Sequence, residues 1–207
     1  MATVTAESQS ASLFDSIPFD LTVEIYERMI EAGLIPPDRR LYLQSGRLFE
    51  KMAKTKAHGS VGAGLNMALS KSLPAGWSIW PESTLLIDSH NAPLPDFSVL
   101  KSGDMLGKAS PDRFPGPQDV GMLVEIAVTS LASDLTSVLE LYARALIPVY
   151  WVVDVPGMRI LVFSEPRLVE GRGEFARRDI FLPGQLIPLI LEGHELAKIP
   201  FDDILRS

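Results

Sequence analysis

The stretch MLVEIAVTSLASDLTSVLELYARALIPVYWVVD, residues 122–154, decides the fold. Met122–Ala127 is nearly all apolar, the composition of a strand buried on both faces. Leu135–Leu146 then places Leu135, Leu139, Tyr142 and Leu146 on one helical stripe, and Pro148 stops it. Val149–Asp154 is a second run of the buried-strand kind. A strand, a helix and a strand in that order require a right-handed parallel crossover at the centre of a sheet. The class that follows is α/β.

Working outward, Leu21–Ala32 has helical spacing, with Thr22 as a cap and Gly33 as a stop. Arg40–Leu43 and Leu48–Met52 flank Gln44-Ser45-Gly46, which predicts a hairpin. His58–Leu73 reads as a helix with Val61, Leu65, Ala68, Leu69 and Leu73 facing inward. Trp77–Trp80, Thr84–Ile87 and Phe97–Leu100 are short strand candidates, and residues 102–121 form a long Gly- and Pro-rich loop. Beyond the crossover, Arg159–Phe163 and Arg178–Leu182 are expected as antiparallel strands. Ile187–Leu191 and Phe201–Leu205 are expected as short packing elements.

At 207 residues the chain suits one core. Residues 1–16 read as a disordered tail and 17–207 as a single domain; the tail lacks the basic start and apolar centre of a secretion signal. No apolar run reaches the roughly 18 residues that cross a bilayer. Cysteine is absent, which excludes disulfides and thiolate metal sites and is consistent with a cytoplasmic protein. With 26 acidic and 19 basic residues the net charge is −7, so a dense phosphate-binding surface is not expected overall. Lys51, Lys54, Lys56 and His58 make a short basic stretch; its lysines are read as solvent-facing, with a reach of one of them into a site as the alternative.

Glu125 disturbs this plain reading. A lone carboxylate in a buried strand costs several kcal/mol unless a cation, hydrogen bonds or a metal compensate. Asp96 follows Pro95 at the start of another predicted strand. Two carboxylates at the ends of neighbouring strands can hold a hard divalent ion. Such an ion positions a water and stabilises the charge on a phosphodiester under attack. The plain alternative is that Asp96 caps a turn and Glu125 meets an arginine.

The order of segments resembles the PD-(D/E)XK nuclease superfamily. Within it, the chain looks like the large bacterial family of restriction-endonuclease proteins long catalogued as a domain of unknown function. The residues that carry the resemblance run from Tyr26 to Ile160. They include Met29–Leu34, Gly46–Glu50, His58, Pro95-Asp96, Leu123–Leu131, Asp134, Leu141–Ala145 and Ile147–Asp154. The resemblance implies a restriction-endonuclease-like α+β core, a central mixed sheet flanked by helices. It implies metal-dependent hydrolysis of DNA, with Asp96, Glu125 and the Ile126 carbonyl as ligands of Mg2+ (or Mn2+), and Glu50 and His58 as helpers. A homodimer is an expectation by analogy with other members.

The family also expects a lysine on the helix, four residues after the Asp134 position. Here that residue is Val138, and Ala127 stands where the wider superfamily has lysine. Arg47 replaces a common glutamate after the hairpin glycine; Val128 and Tyr42 replace further acids. The expectation is therefore a surviving metal pair with impaired hydrolysis. The competing reading is an inactive nuclease-fold module that binds DNA or a protein. A third, nucleotide binding through His58–Gly64, lacks a phosphate-loop lysine, so those glycines are expected to serve close packing. Tyr142, Trp77, Trp80 and Trp151 are read as structural, and His90 and His194 as exposed.

Overall fold

The computed structural model describes residues 19–206 apart from 37, 104, 105 and 109–112; the tail assigned to 1–16 lies outside this range. Its centre is the crossover read from residues 122–154. Strands β5 (Val120–Ala127) and β6 (Val149–Asp154) run parallel, with Glu125 paired to Val152. The sheet is six-stranded and mixed, in the order β3-β4-β5-β6-β7-β8, and every other neighbouring pair in it is antiparallel. Strands β3 (Trp77–Pro81), β4 (Phe97–Lys101), β7 (Arg159–Val169) and β8 (Arg172–Phe181) complete it.

Every residue of β5 and β6 is buried because both sheet faces are covered. On one face Val124, Ile126, Trp151 and Val153 pack against Val61, Leu65 and Leu69 of helix α2 (Lys56–Ser72). On the other, Leu123, Ala127, Tyr150 and Val152 pack against Leu141 and Tyr142. Full burial of each large aliphatic or aromatic side chain contributes about 1.5–3 kcal/mol. A small third cluster joins helix α1 (Val23–Glu31) to a hairpin, β1 (Leu41–Gln44) and β2 (Arg47–Glu50), through Val23, Tyr26, Leu43 and Ala92.

The hairpin turns on Ser45 (φ 48) and Gly46 (φ 72), two left-handed residues as a tight two-residue turn requires. Thr22 caps α1 as expected, accepting from the Ile25 amide. In α2, a Cβ at Gly64 would lie 2.8 Å from the Asp203 carbonyl of helix α5 (Phe201–Ile204), so this glycine serves close packing.

Three elements differ from the expectations. Thr84–Ile87 is not a strand: its amides reach Pro93, Pro115 and Asn91 carbonyls in turn, so no ladder forms, although Leu85 is fully buried. The helix expected over Leu135–Leu146 is the shorter α4 (Ser137–Arg144), and a separate α3 (Leu131–Asp134) precedes it. Thr136 separates them, its backbone non-helical and its hydroxyl bonded to the Ala132 carbonyl. Leu146 leaves the apolar stripe, adopts φ 56 and is exposed. The C-terminal packing element is a two-stranded sheet, β9 (Leu186–Leu191) with β10 (His194–Pro200). β10 (HELAKIP) mixes polar and apolar residues without strict alternation and ends in proline, which hid it. Among the described residues, no helix is long and apolar enough to cross a membrane.

Candidate active site

The antiparallel register of β4 on β5 pairs Phe97 with Val124. One residue further, Asp96 comes to lie beside Glu125. The Asp96 amide donates to Glu125 Oε2 (3.3 Å), and the Ile126 amide donates to Asp96 Oδ2 (2.8 Å). Both acids are nearly sealed from solvent, at 3% and 8% exposure. Asp96 and Glu125, proposed as a pair from positions 29 apart in sequence, thus form one cluster.

The cation that makes such burial tolerable is Lys51. Its ammonium lies 2.7 Å from Asp96 Oδ1, 3.3 Å from Glu125 Oε2 and 2.8 Å from the Leu94 carbonyl. This overturns the solvent-facing reading of Lys51. The reason is strand alternation at the end of the hairpin: neighbouring side chains take opposite faces. Glu50 therefore turns outward to Arg39 (2.9 Å), while Lys51 turns inward. The Lys51 amide extends the hairpin ladder to the Arg40 carbonyl, and Arg40 also bonds the Lys51 and Met52 carbonyls. Arg40 is itself anchored on Glu82 (2.5 Å), which also receives Lys54 (3.1 Å). Lys56 opens α2 and is exposed.

His58 joins the cluster through Nε2, 3.0 Å from Asp96 Oδ2. Thr55 caps α2 by accepting from the His58 amide, which fixes His58 in the first turn. An ionised carboxylate can only accept, so Nε2 is the donor in this contact, and the buried Nδ1 has no partner. From the far side, the Tyr142 hydroxyl donates to Glu125 Oε1 (2.9 Å), a role that the structural reading of Tyr142 missed. Asp134 stands nearby at 5% exposure, accepting from Ser130 Oγ (2.6 Å).

These contacts set the acidities. Burial pushes the Glu125 carboxyl well above the usual range, with Lys51 opposing and Asp96 and Asp134 adding to the rise. Burial likewise raises Asp134, to about 6, despite the Ser130 bond. Burial also acts on Asp96, but the His58 bond, Lys51 and the Ile126 amide outweigh it and hold that carboxyl below its ordinary value. For Lys51, desolvation is outweighed by the two carboxylates, so the ammonium is held charged.

The cluster lies in a cavity of about 260 Å³ between the β1–β2 hairpin and α3–α4. Val138, at the position where a lysine was expected, lines this cavity from the helix side, opposite Lys51. Val128 also lines it, whereas Ala127 is buried away in the core. Could a metal ion fit? Lys51 shows that one cation can touch both carboxylates and a carbonyl at once. Asp96 Oδ1 is met by this ammonium, so an ion that took over this oxygen would displace that contact. The donors are all hard oxygens, as magnesium prefers. Among the described residues no three His, Asp or Glu side chains form a closed metal cage. Two carboxylates completed by carbonyl and water suit an ion that keeps part of its hydration. On a strand, the N–H and C=O of one residue point the same way. The Ile126 carbonyl therefore faces the same edge as the amide that reaches Asp96.

The sequence profile of the Uma2 family, described as "Putative restriction endonuclease", matches residues 14–195. The chain belongs to the Uma2 family. The fold agrees: a crystal structure of a putative nuclease of DUF820 from Anabaena variabilis superposes with a TM-score of 0.59. That match covers 79% of this chain and 88% of the other at 12% sequence identity, so it speaks for the fold alone. A comparison with curated protein sequences finds no match. The restriction-endonuclease-like core, a mixed sheet flanked by helices, is thus established for this Uma2 protein.

Proposed function

We propose that this Uma2 protein hydrolyses phosphodiester bonds of DNA with a divalent ion, Mg2+ or Mn2+, held by Asp96, Glu125 and the Ile126 carbonyl. The observation that carries the reading is the Lys51 ammonium in contact with oxygens of both buried carboxylates. It supplies from the hairpin the positive charge that Val138 cannot supply from the helix. An ion bound there would polarise a phosphoryl oxygen and lower the pKa of a bound water.

The chain's own residues do the rest. Asp96 is held in one rotamer by His58 and the Ile126 amide, and Glu125 by Tyr142 and the Asp96 amide. Lys51 faces the same oxygens, where its charge offsets the negative charge that grows on the phosphoryl group. In the reaction the water oxygen bonds to phosphorus as the bond to the leaving nucleoside oxygen breaks. The water gives up a proton to solvent at the cavity mouth, and the leaving oxygen takes one up.

Incubation of purified protein with plasmid DNA and with a single-stranded oligonucleotide, each with Mn2+, tests this, alongside calorimetric titration of the ion. Wild type should cleave and take up the ion; Asp96→Ala should lose both. DNA binding without cleavage or ion uptake by wild type would instead favour the inactive binding module.

A further inference from the structure

The hairpin that delivers Lys51 also presents an aromatic surface that the hydrolytic reading leaves unused. Strand alternation puts Leu43 and Leu48 on the face packed toward α1. The opposite face carries Arg40, Tyr42 and Gln44 from β1, all of which line the cavity of the carboxylates. Across the ladder from them, Phe49 pairs with Tyr42 and Arg47 with Gln44. The Tyr42 and Phe49 rings stack, with centroids 5.7 Å apart and planes 27° from parallel. Phe49 is 44% exposed and its partner Tyr42 lines the cavity, so the stack joins the cavity wall to solvent. Arg47 is exposed and forms no ion pair among the described residues.

The cavity does not end at the carboxylates. It shares Gln44, Ser137 and Leu141 with a neighbouring depression of about 160 Å³ that runs on between the hairpin turn and α4. The acids therefore share one recess with Tyr42, Arg40 and Lys54, and Phe49 and Arg47 flank it as the ladder partners of Tyr42 and Gln44. A duplex keeps its bases stacked on one another, so it offers no free base face to an aromatic wall. A single strand offers one.

We propose that the Tyr42–Phe49 stack, with Arg47 beside it, is a platform for an unpaired base, and that the strand entering the recess is single-stranded DNA. This rests on the Asp96–Glu125 cluster being the hydrolytic centre. The base lies against the exposed side of Phe49, Arg47 meets the adjoining phosphate, and the next phosphodiester reaches the carboxylates.

Fluorescence anisotropy in EDTA, with a labelled single strand of roughly 12 nucleotides and the matching duplex, tests the proposal. Wild type should bind the single strand more tightly than the duplex. Phe49→Ala should weaken single-strand binding by about 5- to 150-fold, the effect of losing one base-stacking ring. Phe49→Trp should restore it. Arg47→Ala should flatten the salt dependence of log affinity by about 0.7, one phosphate contact on a single strand. Equal or tighter duplex binding, no binding to either form, or a Phe49→Ala variant that binds like wild type overturns the platform. Calorimetric Mn2+ uptake separates the two readings: retained uptake beside a failed anisotropy test leaves the metal site standing, and absent uptake by wild type removes the metal site itself.

Discussion

The two walls of the cavity treat the same carboxylate differently. The hairpin wall brings a charge: Lys51 lies 3.3 Å from Glu125 Oε2. The helix wall brings a neutral donor: the Tyr142 hydroxyl lies 2.9 Å from Oε1. Family resemblance places the cation on the helix wall, at Val138, yet here it comes from across the cavity. Catalysis by electrostatic stabilisation needs a charge at a point in space, and a side chain from either wall can put it there. A missing lysine at one sequence position is therefore weak grounds for calling a site dead.

The sharpest way to break this comparison is to move the charge. Lys51→Ala should lower the cleavage rate by on the order of 10²-fold or more, while Mn2+ uptake persists. Adding Val138→Lys to that variant places an ammonium on the helix wall of the same cavity, and should recover at least about tenfold of the lost rate. Single-turnover cleavage of an oligonucleotide measures both. Full activity of Lys51→Ala would show that the hairpin charge plays no part in the reaction.

What the sequence made legible follows the same division. The crossover, the hairpin and the pairing of Asp96 with Glu125 were readable because each rests on local patterning or on strand order. Lys51 was not, although it stands next to Glu50, which was singled out. Both residues line the cavity, but alternation lets only one of the two side chains reach the buried acids, and nothing local says which. That choice is made by Leu43 and Leu48, which must face the α1 cluster and so turn Lys51 the other way. Tyr142 lay on a helical stripe that looked wholly apolar; its hydroxyl acquires a partner only when α4 packs over the end of β5. Thr84–Ile87 failed for the converse reason, since its apolar run is buried without a strand partner.

Asp134, on the helix wall, gives the next largest effect. Burial raises its folded-state pKa from 3.8 to about 6. The folded protein then holds this proton more tightly than the unfolded chain. Its contribution to stability is fullest below pH 4 and is lost as the pH climbs to about 6, roughly 3 kcal/mol across that interval. Asp134→Asn keeps an acceptor for Ser130 and removes the charge. Urea unfolding of both proteins from pH 4 to pH 7 should show the Asn variant gaining on wild type as the pH rises, with the difference level above about pH 6.5. A difference that stays constant with pH would mean that Asp134 is as easily ionised in the folded protein as in the unfolded chain.

Tyr142→Phe makes the finest cut, because it removes one oxygen and leaves the packing of the ring. The hydroxyl orients Glu125 from the side opposite Lys51, so its loss frees one carboxylate oxygen without touching any charge. Groups that hold metal ligands in place are typically worth 10- to 100-fold in affinity. Glu125 keeps its contacts with Lys51 and the Asp96 amide, so the expected loss is at the low end, about tenfold in Mn2+ affinity by calorimetry. The rate at saturating ion should fall far less than in Lys51→Ala, since the charge on the hairpin wall is still in place. If Tyr142→Phe instead matched Lys51→Ala in saturated rate, the two walls would be doing the same chemical job, and the distinction between a charge wall and a positioning wall would collapse.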